Sequence, residues 1–514
     1  MKFWRNVVVA VLLISLLVGC ASSNSSKPSN DSSGTSANTQ TDEDAKSGGS
    51  QLKTPKDTLV FLSAESLTGQ WDTTTHSILG QVRIESLLFD KLFDAKGEES
   101  DPEKLEPNLA VSATQIDDRT IEYKLREGVK FHDGTEFTAE DVKATFEYAS
   151  QPSKASAGWL PGVVRGEVVD KYTVRLITEQ PSGSLWFSAA FIPILSKKDI
   201  ESGAVASHPN GTGPFKLKSQ EGDTTILERN EDYWKGVPKL KEIHWKYVSD
   251  ASTRLLSLKA GEADVIDRLE PEQALELAGS DYADVQSVLT PESKWLLFRN
   301  KEPFKDNVKL RQAIAHAIDR DVILQLMGDA GAPAHNFVTP SKFGYKEMEW
   351  PYPYDPEKAK QLLAEAGYPN GQGLPELEYI TSTGFYPKTK EYGEIIAAQL
   401  QQVGIKVKLT VLETAAWLDK LYNVDEGHLI DTGWMTGNPE PDLVLRPIFY
   451  SKTARMTGLD DPEIDASLDK ESSTADIDER RRVLQEETFP LLAEKIPAIP
   501  LFNSVLQTGV RKEV

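Results

Sequence analysis

Apolar positions along this chain recur with two periods, and the periods take turns. Over residues 241–267, Ile243, Trp245 and Tyr247 stand at every second position between His244 and Lys246, the period of a strand with one buried face. Asp250 follows as a helix N-cap, Leu255, Leu256 and Leu258 give an apolar stripe, and Gly261 gives the stop. Strand character returns at 263–266. Residues 376–411 repeat the scheme. Leu377, Tyr379 and Thr381 alternate; Tyr392, Ile395, Ile396, Leu400 and Val403 fall at helical spacing before Gly404; Ile405, Val407, Leu409 and Val411 alternate again. Strand, helix and strand at this spacing predict a βαβ unit. Two further helices are predicted. Asp355 caps one, with Pro356 at its first position and Ala359, Leu362, Leu363 and Ala366 on one face before Gly367. Asp306 caps the other, which carries Leu310, Ile314, Ala317 and Ile318. The fold class is therefore α/β with more than one sheet, and 514 residues are too many for a single hydrophobic core.

The chain begins differently. Residues 7–18 are apolar apart from Ser15 and follow Lys2 and Arg5. A membrane-spanning helix needs about 20 residues, so a basic start with this short stretch predicts a secretory signal. Residues 21–57 are rich in Ser, Asn, Gly and Thr and cannot bury enough surface to fold; they predict a flexible tether, with the folded body starting near Thr58. A net charge of −22 argues against nucleic acid as a partner and against direct docking on an anionic lipid surface. The single cysteine, Cys20, can form neither an internal disulfide nor a cysteine-based metal cluster. Leu17-Val18-Gly19-Cys20 resembles the lipobox of bacterial lipoproteins. That resemblance implies removal of residues 1–19, lipidation of Cys20, and a protein held outside the cytoplasm at the cell membrane, or in the periplasm of a Gram-negative cell.

Ligands of open α/β sheets bind beyond the carboxyl ends of the strands. Three loops qualify. The first, 63–72, follows the predicted strand 59–62 and contains Glu65 and Trp71; the second, 382–387, carries Phe385 and Tyr386; the third, 432–442, carries Trp434, Gly437 and Asn438. Trp417 lies near the candidate cleft. Aromatic rings supply large rigid contact area with a polar handle, which suits peptide side chains or sugar faces. Trp234 and Trp245 read as core, whereas Trp186, Trp295 and Trp350 fit either role. No catalytic constellation emerges: there is no G-x-S-x-G elbow and no H-E-x-x-H pair, and Gly211-Thr212-Gly213-Pro214 lacks the Lys-Ser/Thr ending of a phosphate loop. The seven histidines have no metal-ligand spacing, and His132 with Asp133 and Glu136 reads as a structural turn. No enzyme activity, metal or cofactor is expected.

Several segments, in order, resemble the family 5 solute-binding proteins of ABC importers, the group that includes oligopeptide, dipeptide and nickel binders. Residues 107–148 contain LREGVKFHDG at 125–134 and TAEDV at 138–142; 211–236, 259–265, 308–320, 355–367 and 399–407 supply the rest. The resemblance implies a two-lobed periplasmic-binding-protein-like fold (class II, cluster C). The first lobe would span 58–291, with an extra subdomain inserted at about 94–203, the second 292–496, and residues 497–514 would return to the first. It further implies closure of the lobes on a small solute and delivery to permease subunits driven by cytoplasmic ATPases. A peptide or peptide-like solute and an oligosaccharide rank as near equals, with nickel chelates and opines behind. Two departures stand out. Peptide-binding relatives place an aspartate for the peptide's amino terminus where this chain has Gly437, leaving Glu440, Asp442, Glu65 or Asp72 as substitutes. Relatives also run further past the position of Val514, which raises the expectation of a truncated tail. A lipid-anchored hydrolase is the disfavoured reading of another class.

Overall fold

The computed structural model describes residues 57–76, 79–94, 104–383 and 385–514. The expected signal at 1–19, Cys20 and nearly all of the tether at 21–57 lie outside the described residues.

The predicted strand–helix–strand units form, and they form in two places. In the first, Thr58–Ser63 pairs in parallel with Glu242–Tyr247 on one side and with Val265–Ile266 on the other. In the second, Leu377–Thr383 pairs in parallel with Val407–Glu413 and with Leu429–Met435, and the helix Thr389–Gln402 links the first two. Two long antiparallel strands, Ala283–Phe298 and Ala498–Arg511, stand between these units and join them into one open sheet. Their ladder runs from Ala283↔Arg511 to Leu289↔Val505, breaks, and resumes from Ser293↔Asn503 to Leu297↔Ala498. Pro291 lies in the break, where it can donate no ladder hydrogen bond. The chain is thus an α/β protein of two lobes joined by a strand pair with a built-in interruption.

The cores follow this division. Phe61 stacks on Trp245 at 4.1 Å, with the Arg83 guanidinium 5.0 Å above the Phe61 ring, so Trp245 is core as expected. In the second lobe, Tyr392, Ile396 and Leu400 of the crossover helix bury against Tyr379 and Leu429 of the sheet. A third core belongs to a four-stranded antiparallel sheet of Ala110–Asp117, Thr120–Leu125, Thr173–Thr178 and Val164–Asp170. The helix Ala139–Ala149 covers it through Val142 and Phe146. Thr138 and Asp141 close that helix's start as a capping box. This sheet lies within the stretch expected as the inserted subdomain.

Local expectations meet three refinements. Asp306 does not cap its helix: it sits at φ +56, and Asn307 caps Val308–Ala317 by accepting from the Leu310 N–H at 3.1 Å. Leu256 is 62% exposed, leaving Leu255 and Leu258 as the buried stripe of Ala251–Lys259. The tail Ala498–Arg511 spends its first residues on the second-lobe half of the ladder and reaches the first-lobe half only at Val505. The His132 turn is structural. Its imidazole bonds the Gly213 carbonyl at 3.1 Å, and burial pulls its pKa down to about 4. Asp133 accepts from the Thr135 N–H at 2.9 Å.

Candidate functional site

The carboxyl ends of Leu377–Thr383 and Leu429–Met435 meet the start of the second-lobe half of Ala283–Phe298, where Glu292 pairs with Met435 and Lys294 with Gly433. Three sequence-predicted aromatics converge at this edge. The Phe385 ring lies 5.3 Å from Trp417 and 4.6 Å from Tyr386, and Tyr386 meets Trp417 edge-on at 5.9 Å. Such offset and edge contacts stabilise each pair beyond area burial. The cluster is pinned to the sheet, because the Tyr386 O–H donates to the Gly433 carbonyl at 3.1 Å and the Gly433 N–H donates back at 3.2 Å. Trp434 is the next residue; its Nε1–H donates to the Leu443 carbonyl at 2.9 Å, and its ring packs half-buried on the second-lobe core. Phe385 is the exposed member at 42%, while Trp417 at 1% is the ring it leans on.

The loop after Trp434 is held from below. Lys342 is buried, and its Nζ donates to the Thr436 carbonyl at 2.5 Å and the Asn438 carbonyl at 2.6 Å. Burial pulls this ammonium down to about 7. The Asn438 side chain accepts from the Glu440 N–H at 3.0 Å and is thereby committed to loop geometry. Beside Gly437 there is open space: a Cβ there would meet nothing within 4 Å.

Trp71 stands apart from this cluster. It is 2% exposed in the first-lobe core, so its ring offers no free face in this conformation, and its backbone N–H donates to the Ala206 carbonyl at 2.9 Å. The four acids named as substitutes for an aspartate at position 437 are all engaged. Glu440 pairs with Arg480 and Asp442 with Arg446; Glu65 pairs with Arg268 and accepts from the Gly80 N–H; Asp72 pairs with Lys154 at 2.8 Å.

Two charged residues at the edge escaped the sequence reading. Lys294 is buried, its Nζ lies 2.8 Å from the centroid of the Tyr386 ring, and it has no hydrogen-bond partner among the described residues. Burial is the largest influence on it and pulls its ammonium down to about 8, against the attraction of Glu292 and Asp431. The half-buried Glu292 carboxylate approaches Gly433 so closely that a Cβ there would lie 2.6 Å from its Oε1. Below them Asp431 is fully buried and accepts from the Tyr392 O–H at 2.5 Å. The signal was present: Glu292, Lys294 and Leu296 share one face of a strand that is otherwise apolar from Trp295 to Phe298. A cavity of about 30 Å³ lined by Ser66, Leu67, Gln220, Asp223, Trp245 and Tyr247 has room for a water or two and not for a solute.

A sequence profile of bacterial extracellular solute-binding proteins, family 5 (Middle), matches residues 104–455. The glutathione-binding protein GsiB of Salmonella paratyphi A is 31% identical over 436 residues, covering 80% of this chain and 83% of that protein. Two solved structures share the fold and carry bound solutes. The periplasmic binding protein DppA of Helicobacter pylori in complex with the peptide STSA is 25% identical, with a TM-score of 0.71 over 88% of this chain and 94% of that one. The binding protein AgaA of A. tumefaciens R10 in complex with agropinic acid is 28% identical, with a TM-score of 0.72 over 88% and 93%.

Proposed function

The chain belongs to the bacterial extracellular solute-binding proteins, family 5, and on that premise we propose that it captures a peptide or peptide-like solute by closing its two lobes and delivers it to the permease of an ABC importer. Proteins of this family are extracytoplasmic binders rather than enzymes and work with permease and ATPase subunits. Phe385, Tyr386 and Trp434 form the wall on which the solute lies, Trp417 backs that wall, and Gly437 and Asn438 border it. The observation that carries this reading is the ring cluster of Phe385, Tyr386 and Trp417, locked onto Gly433 with an exposed face at the carboxyl edge of the sheet. The ladder break at Pro291 supports a hinge between a first lobe of 58–291 and a second of 292–496. A solute that touches both lobes only when they are closed favours the closed form by its differential affinity. Cys20 is the proposed site of lipidation and membrane anchoring.

A second reading has its own support. Gly437 opens onto free space and the four candidate acids are engaged elsewhere. A buried ammonium without a counter-charge costs several kcal/mol, so this favours a solute with no free amino terminus at that point, such as an opine or an oligosaccharide. Thermal shift against glutathione, the tetrapeptide STSA, an opine and a trisaccharide separates the two readings. A solute at about 100 times its Kd adds about 2.7 kcal/mol of stability. A shift with glutathione or STSA supports the peptide reading; a shift with only the opine or the sugar replaces it.

A further inference from the structure

Outside the strand pair Ala283–Phe298 and Ala498–Arg511, the two lobes meet at a second junction that no sequence motif announced. The helix Leu185–Phe191 belongs to both: Leu185, Ala189 and Ala190 lie in the core of the inserted subdomain, whereas Phe187 is fully buried in the core of the second lobe. The Phe187 ring sits 5.0 Å from Phe343. Just before the helix, the Gly183 N–H donates to the Ser472 carbonyl at 2.9 Å, and the Gly183 carbonyl accepts from Arg480 Nη1 at 2.8 Å. The fit leaves no room for a side chain, because a Cβ on Gly183 would lie 2.1 Å from the Thr474 carbonyl oxygen and 2.5 Å from Arg480 Cδ.

Both halves of this junction lead to the loop beside Trp434. The Arg480 guanidinium is fully buried and grips Glu440 with two bonds, Nη2 to Oε1 at 2.5 Å and Nη1 to Oε2 at 2.9 Å. It also bonds Glu471 Oε2 at 2.8 Å. Glu440 in turn donates its N–H to the Asn438 side chain at 3.0 Å. By the second route, the Phe343 N–H donates to the Pro439 carbonyl at 2.8 Å while its ring holds Phe187. Two independent chains of contact therefore run from the first lobe to the residues that follow Gly437.

We propose that Arg480 is a positioning residue for solute binding: it fixes the loop of residues 436–440 through Glu440 only while Gly183 of the first lobe is docked on it, so that lobe closure and the shape of the binding loop are set together. The assignment of that loop to the solute rests on the reading given above; the coupling between junction and loop does not. A lysine cannot replace this residue, since a single ammonium lacks the planar fork that reaches Gly183, Glu440 and Glu471 at once.

Hydrogen–deuterium exchange on the full chain, without solute, tests this. Gly183→Ala lies outside the second lobe and removes none of the loop's own bonds. It is expected to speed exchange about tenfold both in residues 182–191 and in residues 436–443, a change of about 1.4 kcal/mol in local opening. The strands Ala110–Asp117 and Leu429–Met435 are expected to keep their wild-type protection. Arg480→Lys is expected to reproduce the effect at 436–443. Opening of 182–191 with an unchanged 436–443 overturns the coupling. So does wild-type exchange in both segments, and so does loss of protection throughout Leu429–Met435, which would make Arg480 a general structural residue. A chain that shows the coupling yet shifts with no peptide sinks the peptide reading and leaves the junction standing.

Discussion

At the carboxyl edge of the first lobe the charged side chains are paired among themselves. Asp267 accepts from the Ala64 N–H at 2.7 Å and from Arg83 at 2.8 Å, and Arg268 pairs with Glu65, which also accepts from the Gly80 N–H at 2.6 Å. The corresponding edge of the second lobe is built the other way. Its rings cluster with one face exposed, its buried Lys294 has no hydrogen-bond partner among the described residues, and space lies open beside Gly437. A surface whose polar groups are satisfied internally gains little from a ligand, whereas exposed aromatic area gains more. On the proposed function, this contrast supports solute recognition mainly by the second lobe, with the first as its counter-face.

Trp417→Ala should break this contrast with the largest effect. Removing a fully buried indole from beneath Phe385 and Tyr386 costs about 3–5 kcal/mol, read as a lower denaturant midpoint together with loss of any solute shift. Lys294→Met sharpens it from the opposite direction. Burial holds this ammonium near 8 in the folded chain against an ordinary value of 10.5. The unfolded state therefore binds more protons between those values, and the stability of the native chain should rise as pH climbs from about 8 to 10.5. Methionine should flatten that rise and stabilise the protein at pH 7 by up to about 3 kcal/mol, measured by urea melts across pH. Asp267→Asn probes the paired edge. It should cost about 2 kcal/mol, because Arg83 and the Ala64 N–H lose a charged acceptor, while the solute shift in a thermal-shift assay survives. The smallest effect is expected from Lys388→Met, which removes the exposed ion pair to Glu272 across the two lobes. Less than about 1 kcal/mol should be lost in a melt.

Much of the scaffold could be read from the residues, and the reason is local. The βαβ unit at 376–411 states its elements through period alone, and Asp250, Asp355 and Gly404 act within a few residues of themselves. The candidate site was half legible. Loop position pointed to Phe385, Tyr386 and Trp434, but spacing cannot tell a ring that faces a cleft from one that backs it, and Trp71 proved to be core. The remaining pieces depend on distant pairings. Arg480 meets Gly183 across 297 positions, and the orphan state of Lys294 appears only once Tyr386 covers it. The misplaced cap at Asp306 has a smaller cause: Asp and Asn both cap helices, and only the left-handed turn at Asp306 decides between neighbours.

Trp434 gives the most direct test. Its ring packs on the second-lobe core and its Nε1–H is bonded to Leu443, so Trp434→Ala should cost about 2 kcal/mol in the melt and still leave a folded chain. The deciding measurement is calorimetric titration of the wild type and of this variant with the solute identified by mass spectrometry in natively purified protein. The account predicts one site of about micromolar affinity, about 8 kcal/mol, weakened at least tenfold in the variant, with the solute recovered intact. Equal affinity in a folded variant, or chemical conversion of the solute, would contradict it.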